Sequence, residues 1–575
     1  MDNTVRIGGK AGQGLQSIGG MLARVFSRSG FQVFSHQDYM SRVRGGHNFY
    51  QVRFSNQEIM ASKEKVDILV ALDLNTIEIH GKSLDPQGMV VYDAEMTKKS
   101  FDDPAYLNVP FEKIAVEKGG SKIMSNTVAT GAVFGMLGME LGVYEEIIKE
   151  TFKKKGEEVV SKNISAARAG FEYAVKECLR CSFTVPQKGA HQLMLLNGNQ
   201  AIGLGAVMSG CKFYSAYPMT PSTGVMIFLA SRAKECGIMV EQAEDEIAAI
   251  NMALGASFAG VRAMTGSSGG GFALMVEGLS LAAMTETPIV IAEVQRPGPA
   301  TGLPTRTEQG DLLFVLHTGH GEFPRVVFAP GTPEQAFYLT NKAFDLAEKY
   351  QIPAFVMSDQ YLSDSQWTFK SLNPDKLHYT DYRLRGKAFE SLTGYRRHAI
   401  TKDGVSPLGV PGESRHVVVT DSDEHDEEGH IIEDAETRTA MVRKRVLDKL
   451  PLIRQEMAPP FLYGEKKPKI VLCGWGSTYG PIKEAVDVLS KDRSVAMLHF
   501  SEIYPLPSTE EYNYLEVLAR SSRAICIENN ATGQFAHHLR AELGYRFSNT
   551  INKYDGRPFM VETLVEEIDA QLGDL

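Results

Sequence analysis

The regular alternation of strand-like and helix-like segments between residues 193 and 365 constrains the fold most strongly. Short apolar runs, among them KFYSAY, VRAMTG, PIVIAEV and PAFVMSD, are separated by longer runs with helical spacing. Strands that alternate with helices in this way predict a parallel sheet joined by right-handed crossovers. We therefore predict that this part of the chain is an α/β domain.

Polar or glycine-rich segments follow four of the predicted strands. These segments are PMTPST, EDE, GSSGGG and QRPGP. In open parallel sheets, ligands bind beyond the carboxyl ends of the strands, and the carboxyl ends of parallel strands share one edge. The sequence therefore predicts that the four segments converge on a binding site.

The 575 residues are too many for one hydrophobic core, so we predict a multi-domain α/β protein. The first unit opens with a strand at Val5–Ile7, the glycine-rich turn GGKAGQG and an amphipathic helix. The predicted divisions are residues 1–182 for this unit, 183–192 for a linker, 193–365 for the alternating domain, 366–467 for an extended connector, and 468–575 for a last α/β unit.

Charge and hydropathy exclude some classes of partner. With 60 basic and 70 acidic residues the formal net charge is -10, which provides no broad basic field for nucleic acid or anionic membrane. No apolar run approaches the roughly 20 residues that span a bilayer, and the amino-terminal sequence has no apolar signal region. We expect a cytoplasmic protein.

The six cysteines are few and scattered, which argues against a disulfide framework. Only Cys178 and Cys181 are close in sequence, and a zinc or [4Fe–4S] site needs about four ligands. We predict that these two are free thiols at a helix end. The acidic run from Asp421 to Glu436 lacks the sixth-position glycine of a calcium loop, and we predict a solvated loop.

Each candidate motif has an alternative structural interpretation. GGKAGQG is suited to binding an anion at a helix N-terminus, or it is a tight turn between strand and helix. Glu244, Asp245 and Glu246 stabilise the helix dipole, or one of these carboxylates lies in a buried interface and has a functional role. GSSGGG is a phosphate cradle or a close backbone approach, and Arg296 holds a carboxylate bidentately or is solvated.

Taken together, the motifs resemble one family. YPMTPST, EDEIAAINMALGA, TGSSGGGFALM, QRPGPATGLPTRTEQGDL, GWGSTYG and ENNATGQ resemble the α subunit of 2-oxoacid:ferredoxin oxidoreductases. GGKAGQG, SHQDYMSRVRGGHN and SNTVATGAV resemble the γ subunit, so nearly the whole chain is similar to a γ–α fusion. The resemblance implies thiamine diphosphate-dependent decarboxylation of a 2-oxoacid, with electrons passed to ferredoxin and the acyl group to coenzyme A, or the reverse.

The resemblance also implies roles for individual residues. The unit from Leu193 corresponds to the thiamine pyrimidine-side domain, and the last unit to a transketolase C-terminal-like domain. Glu246 matches the glutamate that contacts the aminopyrimidine N1′, with Glu244 as the alternative. The remaining implied contacts are Thr220 and Pro221 with substrate and thiamine, Arg296 with the 2-oxoacid carboxylate, Thr305 in the substrate pocket, and Gly9, Lys10, Gly12 and Gly14 with coenzyme A phosphates.

One expected motif is missing from the chain. Thiamine diphosphate proteins carry GDG followed by NN to hold Mg2+ and the diphosphate, and the chain has no GDG; Asn529 and Asn530 lie in a different context. The resemblance thus implies a β-type partner that carries Mg2+ and [4Fe–4S], in an (αβ)2 assembly. 2-Oxoglutarate is the expected substrate, with pyruvate and branched-chain 2-oxoacids open. The alternatives are a thiamine enzyme without iron–sulfur chemistry and a non-catalytic scaffold.

Overall fold

The computed structural model describes residues 1–41, 45–181, 183, 185 and 193–573. They form two compact units. The first comprises Met1–Leu196, Ser365–Ser371 and Met560–Leu564; the second comprises Asn197–Asp364, Leu372–Phe559 and the residues from Val565 on. The predicted linker at 183–192 and residues 42–44 of the SHQDYMSRVRGGHN motif fall wholly or largely outside the described residues.

The first 197 residues contain seven strands and seven α-helices within the described ranges. The strands are β1 (Asp2–Lys10), β2 (Gln32–Asp38), β3 (His47–Ser55), β4 (Val66–Ala71), β5 (Leu84–Tyr92), β6 (Tyr106–Asn108) and β7 (Met194–Asn197). The helices are α1 (Leu15–Arg28), α2 (Leu74–His80), α3 (Ala94–Thr97), α4 (Phe111–Ile114), α5 (Ser125–Met136), α6 (Gly142–Phe152) and α7 (Glu157–Glu177).

The alternation continues beyond Asn197. The helices up to residue 364 are α8 (Gly198–Met208), α9 (Thr223–Ser231), α10 (Ala233–Cys236), α11 (Glu246–Phe258), α12 (Gly269–Phe272), α13 (Val276–Met284), α14 (Leu312–His317), α15 (Pro333–Tyr350) and α16 (Gln360–Asp364). The strands are β8 (Cys211–Ala216), β9 (Met239–Gln242), β10 (Arg262–Ser267), β11 (Ile289–Gln295), β12 (Val326–Phe328) and β13 (Pro353–Asp359).

The remaining elements complete the two units. The strands are β14 (Gln366–Phe369), β15 (Arg383–Leu384), β16 (Leu408–Gly409), β17 (Phe461–Gly464), β18 (Ile470–Trp475), β19 (Val495–Phe500), β20 (Glu502–Tyr504), β21 (Arg523–Glu528) and β22 (Asn549–Asn552). The helices are α17 (Gly386–Glu390), α18 (Ala435–Val442), α19 (Lys449–Glu456), α20 (Tyr479–Leu489), α21 (Tyr514–Arg520), α22 (Gln534–Leu543) and α23 (Val561–Leu572).

The first unit is built on a mixed sheet of order β6-β5-β4-β1-β3-β2-β14-β7. β1 is longer than predicted: it runs through Gly8 and Gly9 to Lys10, and these residues pair with β3, so the turn begins only at Ala11. β3 itself was not predicted as a strand. Tyr50, Val52 and Phe54 alternate with Gln51 and Arg53, which is the apolar–polar period of a strand. Gln51 and Arg53 are nevertheless buried and hydrogen-bonded.

Helices α5 and α7 of the first unit contact each other through their backbones. A Cβ atom on Gly131 would lie 2.1 Å from the carbonyl oxygen of Ala167, and one on Gly170 would lie 2.2 Å from that of Val128. Neither neighbour is a flexible side chain, so neither can move aside cheaply. The two glycines therefore set the separation of the helices.

We expect Gly131→Ala to lower the free energy of unfolding by about 1–3 kcal/mol, because the added methyl forces the two helices apart. Gly20→Ala is the matched control, since Gly20 lies in α1 and nothing lies within 4 Å of a Cβ there. That control should be neutral or stabilising by about 0.5–1 kcal/mol. Denaturant unfolding of both variants measures the difference, and equal stabilities would contradict the close-packing argument.

The second unit contains the predicted parallel sheet. Its strand order is β20-β12-β13-β11-β10-β8-β9, with β12 to β9 parallel and β20 antiparallel at the edge. A second sheet, of order β17-β19-β18-β21-β22, is parallel except for β17. One hydrophobic cluster contains side chains of both sheets, including Ile291, Phe355, Trp475 and Phe500. The α/β fold is thus confirmed.

The cysteine prediction is wrong. Cys178 and Cys181 form a disulfide, with their Cα atoms 5.6 Å apart. α7 ends at Glu177, and Cys178 adopts an extended ψ of 95°, which lets the chain turn back toward the helix end. The scattered spacing of the six cysteines argued against a framework of several bridges, but it does not bear on a single local pair.

The segment predicted as a connector contains helices and a buried ionic cluster. The Glu286 carboxylate accepts hydrogen bonds from Lys444 Nζ at 2.6 Å and from Lys449 Nζ, and lies 3.0 Å from His398 Nδ1. Burial alone would raise the pKa of Glu286, but the two ammonium groups hold it well below its usual range. The acidic run is not a wholly solvated loop as predicted, because His425 is fully buried within it.

Buried histidines make the stability of the fold dependent on pH. Burial lowers the pKa of His398 to about 3 and that of His499 to about 4. Each folded-state pKa lies below the unfolded value of about 6.5, so acid protonates the unfolded chain first. The stability from each neutral histidine is fully present above about pH 6.5 and is lost as pH falls toward the folded-state pKa.

We expect the unfolding temperature to fall between pH 7 and pH 5, and His499→Gln to reduce that fall by the equivalent of about 1 kcal/mol at pH 5.5. His430→Gln is the control, because His430 is exposed. Thermal unfolding at constant ionic strength provides the measurement. A pH slope that is the same in wild type and His499→Gln would contradict the prediction.

Candidate active site

The four predicted loop segments lie along one edge of the parallel sheet. β8, β9, β10 and β11 end at Ala216, Gln242, Ser267 and Gln295, and all four strands run in the same direction. PMTPST, EDE, GSSGGG and QRPGP each follow one of these ends. The structure therefore brings these segments to the carboxyl edge, as the sequence predicted.

The three acidic residues at the start of α11 have different environments. Asp245 is the N-cap, and its side chain accepts a hydrogen bond from the Ala248 N–H at 2.7 Å. Glu244 is exposed. Glu246 is only 3% exposed, and its buried Oε1 atom has no hydrogen-bond partner among the residues that the structure describes. The cap role belongs to Asp245, so stabilisation of the helix terminus does not account for the burial of Glu246.

The Glu246 carboxyl is disposed to hold a proton. Burial raises its pKa, the Asp245 charge adds to the rise, and the Ser267 hydroxyl opposes it. A buried carboxyl with a raised pKa can exchange a proton with a nitrogen base in a dry site. The unpartnered Oε1 is the atom available for that contact, so Glu246 fits the aminopyrimidine of thiamine diphosphate.

The GSSGGG segment approaches Glu246 closely. A Cβ on Gly271 would lie 2.3 Å from Glu246 Oε1 and 2.2 Å from Ser267 Oγ. A Cβ on Gly269 would lie 2.5 Å from Asp311 Oδ2. Of the two interpretations of this segment, the geometry therefore favours close approach of the backbone, which leaves space beside the Glu246 carboxyl.

Arg296 and the PMTPST turn are in direct contact. The Arg296 Nη1 donates to the Thr220 carbonyl oxygen at 2.7 Å, and the Pro221 carbonyl accepts from Asn199 Nδ2 at 3.1 Å. Arg296 is partly buried, and burial lowers its pKa while the Asp311 charge opposes that shift. Thr305 is buried further along the loop that Arg296 begins. The structure thus joins Thr220 and Arg296.

A buried carboxyl pair next to these residues was missed by the sequence analysis. Glu293 in β11 is fully buried, and neither carboxylate oxygen has a hydrogen-bond donor. Burial and the neighbouring Asp311 raise the pKa of Glu293 well above its usual range, and burial raises that of Asp311 to about 6. Like charges in a dry site share a proton. A lone glutamate within the apolar strand IVIAEVQ was the available signal.

The GGKAGQG residues form a separate group in the first unit. A cavity of about 350 Å³ at the N-terminus of α1 is lined by Lys10, Gly12 and Gly14, together with Gln37, Asn48 and neighbouring residues. Gly12 has φ +91°, and no atom of the described residues lies within 4 Å of a Cβ there, so Gly12 is open to this space. Gly9 does not line the cavity: a Cβ there would lie 2.5 Å from Gln13 Oε1.

Comparison with known proteins decides the family. Residues 204–444 match the model for the thiamine diphosphate-binding part of pyruvate flavodoxin/ferredoxin oxidoreductase, and residues 4–173 match that for pyruvate ferredoxin/flavodoxin oxidoreductase. The 2-oxoacid:ferredoxin oxidoreductase subunit alpha of Sulfolobus sp is 30% identical, over 98% of this chain and 96% of the relative. The chain belongs to the 2-oxoacid:ferredoxin oxidoreductase α-subunit family. It is therefore an oxidoreductase subunit, as its motifs predicted.

Two further members of the 2-oxoacid:ferredoxin oxidoreductase family are similar over the full length. The 2-oxoglutarate oxidoreductase subunit KorA of Mycobacterium tuberculosis is 28% identical, over 99% of this chain and 91% of that protein. The solved structure of 2-oxoglutarate:ferredoxin oxidoreductase from Magnetococcus marinus, with 2-oxoglutarate, coenzyme A and succinyl-CoA bound, is 31% identical, with a TM-score of 0.91 and 100% of each chain covered. Across the described parts of our chain, every helix is too short or too polar to cross a membrane.

Proposed function

We propose that this chain is the γ–α fused subunit of a cytoplasmic (αβ)2 enzyme that decarboxylates 2-oxoglutarate oxidatively, transfers the succinyl group to coenzyme A and passes electrons to ferredoxin, or runs in reverse. The substrate assignment rests on the full-length similarity to the Magnetococcus marinus enzyme, whose structure holds 2-oxoglutarate, coenzyme A and succinyl-CoA. Pyruvate and branched-chain 2-oxoacids are the alternative substrates.

In this proposal Glu246 holds the proton that thiamine exchanges, and Thr220 and Pro221 form the adjoining wall. When bound, thiamine diphosphate supplies the nucleophilic carbon that adds to the 2-oxo group. Three observations support the role of Glu246: its burial, the unpartnered Oε1, and the space that Gly271 leaves beside it. An alternative role for Glu244 has less support, because that side chain is exposed.

Arg296 and Thr305 bind the 2-oxoacid in this proposal. A guanidinium can hold the substrate carboxylate with two parallel hydrogen bonds in a partly desolvated site. Arg296 is suited to this role because, among the described residues, its guanidinium donates a hydrogen bond only through Nη1, to the Thr220 carbonyl. Its position directly after β11 also fixes the base of the side chain on the sheet.

We assign coenzyme A phosphates to the first unit, at the cavity lined by Lys10, Gly12 and Gly14. The lysine side chain and the N-terminus of α1 provide positive charge there. Gly9 lies in β1 and contributes only by allowing the strand to pass close to Gln13 and Leu72. The cavity thus provides the positive charge that binding of coenzyme A phosphates requires.

The β-type partner supplies Mg2+, the diphosphate contacts and the [4Fe–4S] cluster in this proposal. The chain has no GDG motif, and two of its six cysteines are joined to each other. Of the remaining four, Cys211 lies in β8, Cys236 ends α10, and Cys473 and Cys526 are paired across β18 and β21. Neither chain alone is expected to turn over substrate.

The assembled two-chain enzyme tests the proposal. Co-purification followed by iron and thiamine assays identifies the partner's groups, and reduction of ferredoxin or viologen is then measured with 2-oxoglutarate, pyruvate and branched-chain 2-oxoacids in the presence of coenzyme A. We expect the highest kcat/KM with 2-oxoglutarate. Equal rates on all substrates would contradict the substrate assignment, and a colourless partner without iron would favour the thiamine enzyme that lacks iron–sulfur chemistry.

A further inference from the structure

The ENNATGQ motif, which the proposed function leaves without a role, contacts the loop that contains Arg296 and Thr305. We define the substrate loop as residues 296–311, between β11 and α14, and the ENNATGQ turn as residues 528–534, between β21 and α22. Both lie in the second unit. The motif is far from the loop in sequence, and only the fold reveals that the two are neighbours.

The contact is a dense set of hydrogen bonds at the carboxyl-terminal end of the substrate loop. Gln309 N–H donates to the Asn529 carbonyl at 2.7 Å, and Asn529 N–H donates back to Gln309 Oε1 at 2.9 Å. Asn530 Nδ2 donates to the Gln309 carbonyl at 3.1 Å, and Gln309 Nε2 donates to the Trp475 carbonyl at 2.9 Å. Gln309 is fully buried, so both its side chain and its backbone are fixed.

Gln534 adds two hydrogen bonds to this contact. Its Nε2 donates to the Gly310 carbonyl at 2.6 Å, and its Oε1 accepts from the Leu313 N–H at 2.9 Å. A single side chain thus spans the end of the substrate loop and the beginning of α14. Because Gln534 is only half-buried, its replacement removes these bonds without opening a cavity in the core.

The ENNATGQ turn is itself rigid before it meets the loop. Asn530 Oδ1 accepts from the Gly533 N–H at 2.8 Å and from the Gln534 N–H at 3.3 Å. The buried Glu528 carboxylate accepts from Phe535 N–H at 2.8 Å, Asn530 Nδ2 at 2.9 Å and Trp475 Nε1 at 3.2 Å. Groups held in this way lose little entropy on making further contacts, which suits a support for another segment.

The rest of the substrate loop needs such support. Its first residue, Arg296, is held by the Thr220 carbonyl, whereas the stretch from Gly298 to Leu303 is exposed. Thr307 is a further anchor of the loop: its N–H donates to the Gly556 carbonyl at 3.4 Å, and its Oγ1 accepts from the Tyr361 N–H at 3.2 Å. An exposed stretch between anchors samples more conformations when one of the anchors is lost. When only a fraction of molecules has the binding arrangement, the apparent dissociation constant rises by the inverse of that fraction.

We infer that the ENNATGQ turn is a positioning element for 2-oxoacid binding: it fixes the far end of the substrate loop, so that Arg296 and Thr305 keep their arrangement before substrate arrives. The inference rests on the proposed function for the identity of the ligand, but not for the contact itself. Asn530 and Gln534 act through their hydrogen bonds to the Gln309 and Gly310 carbonyls.

Gln534→Ala tests the inference first by hydrogen–deuterium exchange in the full chain. The variant removes two hydrogen bonds to the loop, and we expect amides between residues 297 and 311 to exchange about three- to tenfold faster. Gln571→Ala is the matched control, because it removes one side chain–backbone bond in the same unit, from Gln571 Nε2 to the Thr550 carbonyl at 2.9 Å. The control should leave exchange in the loop unchanged.

Kinetics of the assembled enzyme provide the second test. We expect Gln534→Ala to raise the KM for the 2-oxoacid by about three- to tenfold with kcat changed less than about twofold. Gln534→Glu keeps the acceptor for Leu313 N–H but sets a carboxylate oxygen against the Gly310 carbonyl, so its KM should rise at least as much as that of Gln534→Ala. Gln571→Ala should match wild type.

The outcomes separate the inference from the proposed function. Unchanged loop exchange, exchange accelerated equally throughout the second unit, or a lowered kcat with unaltered KM would each overturn the positioning role. A wild-type complex inactive on every 2-oxoacid would overturn the proposed function, and the exchange experiment would still decide whether the turn holds the loop.

Discussion

Glu246→Gln should lower kcat of the assembled enzyme by roughly 10²- to 10⁴-fold, the range for loss of a positioned acid–base group, and leave the KM for the 2-oxoacid nearly unchanged. Glutamine has the shape of glutamate but cannot hold and release a proton at Oε1. The measurement is steady-state viologen reduction by wild-type and variant complexes with matched thiamine content.

The unfolding temperature of Glu246→Gln distinguishes a loss of catalysis from misfolding. The folded-state pKa of Glu246 is raised above its unfolded value, so the folded protein loses stability as pH rises through that range. Removing the charge should therefore leave the unfolding temperature at pH 7.5 equal or higher. Glu244→Gln, which changes an exposed carboxylate two residues away, is the control and should retain activity within about twofold. Nearly intact turnover in Glu246→Gln would favour the scaffold alternative.

The parts of the site that could be predicted from sequence are those encoded by local patterns. The alternation of strands and helices indicated the parallel sheet, and the sheet in turn placed four loops at one edge. The nearly uncharged helix in EDEIAAINMALGA drew attention to the three acidic residues before it, and the resemblance to the family then favoured Glu246, with Glu244 as the alternative. The structure was needed to distinguish Glu246 from Glu244 and Asp245, because a shift of one residue along the helix changes which carboxylate caps it and which is buried.

The features that were missed depend on contacts between distant segments. Glu293 and Asp311 form a pair only because the loop after β11 folds back over that strand. The link between Gln309 and Asn529 joins segments more than 200 residues apart, as their sequence separation of 220 records. Neither contact leaves a periodic signal. The missed strand β3 is a different case, because Tyr50, Val52 and Phe54 alternate with polar residues and provide a local strand signal.

The buried carboxyl pair also affects Arg296. The Asp311 charge opposes the fall in the arginine pKa, and burial raises the pKa of the neighbouring Glu293 well above its usual range. The pair therefore carries less negative charge than two solvated carboxylates would. If Arg296 binds the substrate as proposed, the 2-oxoacid carboxylate meets a guanidinium that is oriented by its hydrogen bond to the Thr220 carbonyl.

We expect Arg296→Ala to raise the KM for the 2-oxoacid by about 100-fold, because truncating one partner of a desolvated charge pair costs about 2–5 kcal/mol. Arg296→Lys keeps the charge but loses the bidentate geometry and should give an intermediate increase of about tenfold. The KM for coenzyme A should be unaffected in both variants, since the proposed coenzyme A contacts lie in the other unit. Initial rates across a range of 2-oxoacid concentrations provide the measurement.

Arg232→Ala is the matched control for loss of a positive charge, because Arg232 is an exposed arginine at the end of α9. It should leave both KM values unchanged. If Arg296→Ala also left the KM for every 2-oxoacid unchanged, the substrate carboxylate would have to be held by the partner chain. The loop that contains Arg296 would then serve only to enclose the site, and the hydrogen bonds from Gln309 and Gln534 would position a lid in place of a binding residue.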